Sequence, residues 1–295
     1  MRVLICSDGT DTADLPARIG GLVAGPCSAA VTLLGIAEQA HHGEPLRAAL
    51  ESEARLLAGF GVTPEVVLGA GDPIEQILKQ TSSSTFDLVI IGGRVKQTGE
   101  RRWRSQRTYE VIKAIPAPVL VAAGERPTFS KFLVCTGGKR YIEAAVQLTG
   151  QIAQCAGASV TLLHVMAEPP AIYADLVRLE EDVDALLAAG SELGQNLRLQ
   201  KESLEKLGVR VDVRVRHGIV LEQVFGELHD GGYDMIVTGS SQARGALQHY
   251  IMGDLTKSIV DRAKCPILVA RSNVTGGGIF AALRRVFASG TSGRT

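Results

Sequence analysis

The sequence predicts two tandem α/β domains, each built on a five-stranded, mostly parallel sheet with helices on both faces. Three observations carry this reading. Five blocks of the first half recur in the second, in the same order. Each half holds five short, continuous Val/Ile/Leu runs, the pattern of strands buried on both faces. Helix-patterned segments separate those runs, and strand–helix alternation implies right-handed crossovers and a parallel sheet.

The repeat gives each element in turn. "RVLICSDGT" at residues 2–10 matches "KFLVCTGGK" at 131–139, predicting first strands near 2–7 and 131–136. "VTLLGIAE" at 31–38 matches "VTLLHVMA" at 160–167, predicting second strands near 29–36 and 158–165. "GVTPEVVLGAGDPIEQIL" at 61–78 matches "GVRVDVRVRHGIVLEQVF" at 208–225, predicting third strands near 63–68 and 209–215. "FDLVIIGG" at 86–93 matches "YDMIVTGS" at 233–240, predicting fourth strands near 87–92 and 234–238. "APVLVAA" at 117–123 matches "CPILVAR" at 265–271, predicting last strands near 118–122 and 266–270.

The offset grows from 129 residues (Val31 to Val160) to 147 (Gly61 to Gly208), a gain of 18. The gain falls in "ADLVRLEEDVDALLAAGSELGQNLRLQKESLEKLG", 174–208, which reads as one long helix-like stretch. It is the candidate apolar face for a homodimer. The offset from Pro118 to Pro266 is 148, so one more residue enters after the fourth strand. The domains expected are 1–126 and 127–272. The tail, 273–295, has arginines and no acid, and "IFAALRRVF" suits about two amphipathic turns. The short polar segment around "GERPTFS", 124–130, should hold the halves close together.

Composition excludes several functions. Lys plus Arg and Asp plus Glu are balanced at 31 each, and aromatics are only 4%, so nothing points to nucleic acid. No apolar run approaches the ~20 residues that span a membrane. The N-terminus lacks a signal-peptide pattern, and the five cysteines form no C-x-x-C, so a cytoplasmic protein with reduced thiols is expected. The six histidines show no metal spacing, and no G-x-S-x-G occurs; no metal and no catalytic group is expected. His41 and His42 are adjacent, whereas His164 and His217 end strands near the ligand edge. Cys135 and Cys265, on strands, read as buried thiols.

In such sheets ligands bind beyond the carboxyl ends of the strands, where strand order reverses. Residues after the first and fourth strands therefore carry the functional expectation. The D-G after the first strand, "VTLLHV", the G-S after the fourth strand and "CPILVA" together make the chain resemble a tandem universal stress protein over residues 1–271. That resemblance implies Rossmann-like domains of the adenine nucleotide alpha hydrolase type. It also implies that they pair through their last strands as a pseudo-dimer.

Some members of that family bind ATP or AMP and others do not. Binders carry G-x-x-G, nine residues, then G and Ser or Thr after the fourth strand, with an Asp at the first strand. Glycines admit backbone amides to phosphate, and a helix start suits an anion. In the first half the resemblance marks Asp8, Ile36, Gly92, Gly93 and Ser105, but Val95 and Gln106 break the glycine pattern. The loop "RVKQTGERRWRS" offers Arg101, Arg102 and Arg104 as anion-binding cations. The other reading is a solvated loop, or one paired with Glu180, Glu181 and Asp182. In the second half it marks Thr136, Val165, Gly239, Ser240 and Gly253. There the middle glycine is missing, the interval is one residue too long, and Asp254 replaces Ser or Thr. Asp254 is expected to cap the following helix in place of a ligand. "TGGKRY" at 136–141 also resembles an ATP pyrophosphatase loop but lacks its Asp-Ser end. The expected function is a non-catalytic binding or regulatory protein of the stress response with degenerate nucleotide motifs. An ATP- or AMP-binding member with one working site, extending to slow ATP hydrolysis, is the alternative.

Overall fold

The computed structural model describes residues 1–9, 14–37, 43–93, 95–98, 101–104, 106–124, 129–137, 143–167, 183–242, 250–251 and 253–272. The first half runs β1 (Arg2–Ser7), α1 (Asp14–Ala24), β2 (Ala30–Ala37), α2 (Gly43–Ala58), β3 (Glu65–Ala70), α3 (Pro73–Ser83) and β4 (Leu88–Gly92). A hairpin follows, β5 (Val95–Thr98) and β6 (Arg101–Arg104), then α4 (Gln106–Ala114) and β7 (Val119–Ala122). The second half runs β8 (Lys131–Cys135), α5 (Glu143–Ala156), β9 (Ser159–Met166), α6 (Val183–Ala188), α7 (Glu192–Glu205), β10 (Val211–His217) and α8 (Val220–Gly231). It closes with β11 (Met235–Gln242), β12 (Tyr250–Ile251), α9 (Asp254–Arg262) and β13 (Ile267–Ser272).

The strands form one sheet in the order β10-β9-β8-β11-β13-β7-β4-β1-β2-β3, with β12 added to β11. Neighbours along that path are parallel except β13 and β7, which pair antiparallel with Leu268 opposite Leu120. The two halves therefore meet through their last strands, as the pseudo-dimer requires. Order reverses beside β1 in one half and beside β8 in the other, which places both candidate ligand edges.

The repeated blocks have a physical reason. Asp87 accepts the Arg2 amide at 2.8 Å, and Asp234 accepts the Lys131 amide at 3.0 Å, fastening each fourth strand to its first. The cation of the same first-strand residue lies over the preceding ring, Arg2 over Phe86 and Lys131 over Tyr233. One apolar core, under α1, α2, α5 and α7, joins Val3, Ile5 and Leu33 to Phe132, Val134 and Leu162 across both halves. The core on the other face joins Leu4 and Val89 to Ile236 and Val269.

Three expectations change. Third strands are edges, not buried on both faces: Val66 and Leu68 of β3 are 48% and 45% exposed. The insertion is not one helix over its described part. It breaks between α6 and α7, where Ser191 caps α7 by accepting the Gly194 amide at 3.1 Å. The basic loop is not an irregular surface loop, because β5 and β6 pair with Val95 opposite Arg104. His41, His42, residues 174–182 of the insertion (Glu180, Glu181 and Asp182 among them) and the tail 273–295 lie outside the described residues.

Candidate functional site

In the first half β1 and β4 pair in register, Ile5 opposite Ile90, so Asp8, just after β1, and Gly92, the last residue of β4, lie at the ends of neighbouring strands. Ser7 pairs with Gly35, which brings Ile36 of β2, itself buried, to the same edge. Asp8 and Gly92 are exposed there, and Gly93 donates its amide to Ala122 at 3.2 Å. The turn after β1 depends on Gly9. Its φ is +68°, and a Cβ would lie 2.9 Å from Leu46 Cδ1.

Ser7 organises that turn. Its hydroxyl accepts the Gly9 amide at 3.2 Å and donates to Glu53 Oε1 at 2.5 Å. Glu53 comes from α2 and is 1% exposed. Its Oε2 has no hydrogen-bond partner among the described residues. Burial pushes the carboxyl up to about 7; the Ser7 bond pulls the other way, and Asp14 and Asp8 add to the rise.

In the second half, Thr136 follows β8 as Ser7 ends β1, and donates to Gln200 Oε1 of α7 at 3.0 Å. The His164 Nδ1–H group donates to the Thr136 carbonyl at 2.9 Å, so His164 serves the edge as a structural ligand of the backbone. Val165 lies beside it on β9, and His217 ends β10 opposite Met166. Sequence reasoning missed the Glu53–Gln200 pair. The signal was available, since both sit at the 147-residue offset on the second helix, flanked by buried Leu50 and Leu57 or Leu197 and Leu204.

The fourth-strand loops differ most from expectation. β11 does not stop at the end of the apolar run but continues through Gly239 and Ser240 to Gln242, pairing with β13 as far as Ser272. Ser241 and Gln242 then pair antiparallel with Ile251 and Tyr250. The Gly239 carbonyl accepts the Thr256 hydroxyl at 2.9 Å. This backbone is committed to a sheet rather than left open as a phosphate cradle. Asp254 is also not the cap: Gly253 holds the N-cap position of α9 and Asp254 is the first helical residue. The chain begins its helix one residue earlier than the capping argument assumed. In the first half Arg101, Arg102 and Arg104 all fall on β6, while Ser105 lies outside the described residues.

These two excursions cross over. β6 of the first half lies beside α9 of the second, and β12 of the second lies beside α4 of the first. Around them the halves are fastened side chain to backbone. Arg271, 3% exposed, donates from Nε to the Ala117 carbonyl at 3.0 Å and from Nη2 to the carbonyls of Ile115, at 2.8 Å, and Ile112. Ile112 is in the last turn of α4, whose final carbonyls lack helical partners, and Ile115 and Ala117 lie in the segment that leads on to β7. The Tyr109 hydroxyl donates to Asp261, and Lys257 lies over the Tyr109 ring. Gly124, at φ +71°, lies so close to the Lys264 carbonyl that a Cβ would stand 2.1 Å from its oxygen.

Cys6 is buried as a thiol, whereas Cys135, expected to be buried, is only partly so. Burial pushes Cys6 and Cys135 each up to about 12, Cys135 with added repulsion from Cys265. Cys265 itself is buried but precedes β13 rather than lying on it. Among the described residues no group of His, Cys, Asp and Glu could hold a metal ion, and no helix is long and apolar enough to cross a membrane.

Residues 128–271 match the universal stress protein family. No curated protein matches the chain. A universal stress protein from Archaeoglobus fulgidus DSM 4304 has the same architecture, with TM-score 0.70 and 17% identity over 92% of this chain and 98% of that one. A functionally unknown protein from Pseudomonas aeruginosa PAO1 aligns with TM-score 0.67 and 17% identity, covering 98% of this chain and 97% of the other. At such identities the likeness is one of fold.

Proposed function

We propose that this chain, whose residues 128–271 match the universal stress protein family and whose first half repeats the same fold, is a non-catalytic binding or regulatory protein of the stress response. The observation that carries this reading is the use of both fourth-strand loops. Their described parts, 95–98 with 101–104 and 239–242 with 250–251, pair as strands, with β6 and β12 beside the other half's last helix, which is not the open cradle that a phosphate chain needs. Asp254 adds to it, since an exposed carboxylate in the first turn of α9 would repel a nucleotide by ~1 to 4 kcal/mol per charge pair. The proposal includes a cytoplasmic location and no required cofactor.

One observation favours a second reading. Asp8 and Gly92 lie at the ends of neighbouring strands at the point of reversal, where an adenine nucleotide such as ATP or AMP would lie. The test is to denature the purified protein, identify any released nucleotide, and titrate ATP and AMP by calorimetry. The proposal expects neither released nucleotide nor heat at millimolar ligand. Stoichiometric nucleotide would overturn it in favour of the Asp8 edge.

A further inference from the structure

Glu53 lies outside the five repeated sequence blocks, the contacts between the halves and the nucleotide pattern. It is nevertheless a carboxyl group in a dry place, with one oxygen bonded to Ser7 and the other unpartnered among the described residues. Buried polar groups are normally satisfied, and an exception asks for an explanation. The second half supplies a reference. At the same position of the same helix stands Gln200, which has the shape of a protonated glutamic acid and accepts from Thr136 as Glu53 accepts from Ser7. The joint thus works with a neutral group, and the first half has placed a titratable one in it.

The charged groups around Glu53 all oppose its ionisation. Asp8, from the turn after β1, and Asp14, at the start of α1, face it. Gly35 of β2, opposite Ser7, is not titratable. Arg18 of α1 and Glu44, Arg47, Glu51 and Arg55 of α2 are exposed and turned outward. No cation among the described residues is paired with it.

We propose that Glu53 is a proton-operated latch on the Ser7–Gly9 turn. Protonated, it fills the seam between α1 and α2 as Gln200 fills the matching seam, and the Ser7 hydroxyl holds the Gly9 amide. On losing its proton to water, it carries a charge that has no donor for Oε2 and two acids beside it. The seam must then open to hydrate that oxygen, and the turn carrying Asp8 loosens. A negative charge beside Asp8 also opposes an anionic ligand at this edge; that consequence alone rests on the nucleotide reading.

The test uses the full chain without ligand. Carbon-13 labelling follows the Glu53 carboxyl through pH 5 to 9, and amide exchange follows Gly9, corrected for the intrinsic rate. The latch expects a carboxyl titration near pH 7. It also expects Gly9 protection to fall about tenfold or more from pH 6 to 8.5, with no such fall in Glu53→Gln. Titration near 4.5, or an equal loss of protection in Glu53→Gln, would overturn it. If Glu53→Gln does not fold, the wild-type titration and Gly9 exchange still decide. AMP titrated into the same samples separates the two claims: no binding at any pH counts against the nucleotide reading alone.

Discussion

In the first half the second helix reaches the end of the first strand with Glu53; in the second half it reaches the same place with Gln200. Backbone, partner hydroxyl and burial are alike, but Glu53 can lose a proton and Gln200 cannot. The opposite substitution occurs at the outer edges. Between β10 and α8 the second half buries Glu227 completely, bonded to Arg214 at 2.8 Å, Arg216 at 2.5 and 2.8 Å and the Tyr233 hydroxyl at 2.6 Å. At the matching offset the first half has Gln80, Val67, Gly69 and Phe86. A duplicated fold keeps its backbone plan while its buried charges drift, so the halves should respond differently to pH and to substitution.

The largest effect is expected where the comparison is most lopsided. Arg271 fastens β13 to the end of α4, and its counterpart in the repeat is Ala123. Arg271→Ala strips a partner from three carbonyls, two of them buried, and bonds to a charged donor contribute ~1.5 to 3 kcal/mol each. A loss of about 4 kcal/mol in urea denaturation is expected, with unfolding of the two halves no longer coincident. A loss below about 1 kcal/mol would mean that the shared cores alone hold the halves together.

Glu227 comes next. Burial alone would raise its pKa, but Tyr233, Arg216 and Arg214 outweigh burial and hold it below the ordinary carboxylate range. Its stabilising effect is therefore present above the unfolded pKa and lost as pH falls through the folded value. Glu227→Gln should cost about 3 kcal/mol at pH 7 and less in acid. An equal cost at pH 7 and in acid would show that shape, not charge, holds β10 to α8.

The third test exchanges the two halves' chemistry. The folded pKa of Glu53 is raised, so the folded protein keeps a proton that the unfolded chain gives up. Its contribution to stability is then greatest below about 4.5, falls as pH rises to about 7, and is level above. This slope is opposite to that of Glu227. Glu53→Gln should gain about 2 kcal/mol at pH 8.5 and little at pH 5. Gln200→Glu should lose a similar amount at pH 8.5 and recover in acid. Identical pH profiles for wild type and Glu53→Gln would place the titration elsewhere.

Much of this frame was legible in the sequence. The repeat located the strands within a residue or two for most of their length, because long apolar runs between helix patterns admit few alternatives. Third strands misled because a Val-rich run looks the same at an edge as in the middle, and only sheet order decides. The fourth-strand loops misled for a different reason. "GSSQ" and "VKQT" have no apolar pattern of their own, and become strands by pairing with β13, β12 or β6. Glu53 was hidden because a single acid on a helix is ordinarily solvated; its burial follows from where Leu50 and Leu57 point the helix.

Asp254 gives the smallest effect and the sharpest reading of the ligand question. α9 begins with an exposed acid in its first turn, whereas α4, its counterpart, has none. With Gly253 as the N-cap, the carboxylate acts mainly through the helix dipole, which is worth ~0.3 to 1 kcal/mol at an exposed helix end. Asp254→Ser should therefore lower stability by about 0.5 kcal/mol, measurable as a small shift of the urea midpoint that salt diminishes. It should leave ATP and AMP titrations without heat, because Gly239 to Gln242 are held in β11 and cannot wrap a phosphate. Tight ATP binding by the Ser variant would mean that the acid alone had closed this edge. The strand pairing of Gly239 with Ala270 would then have to yield to the nucleotide.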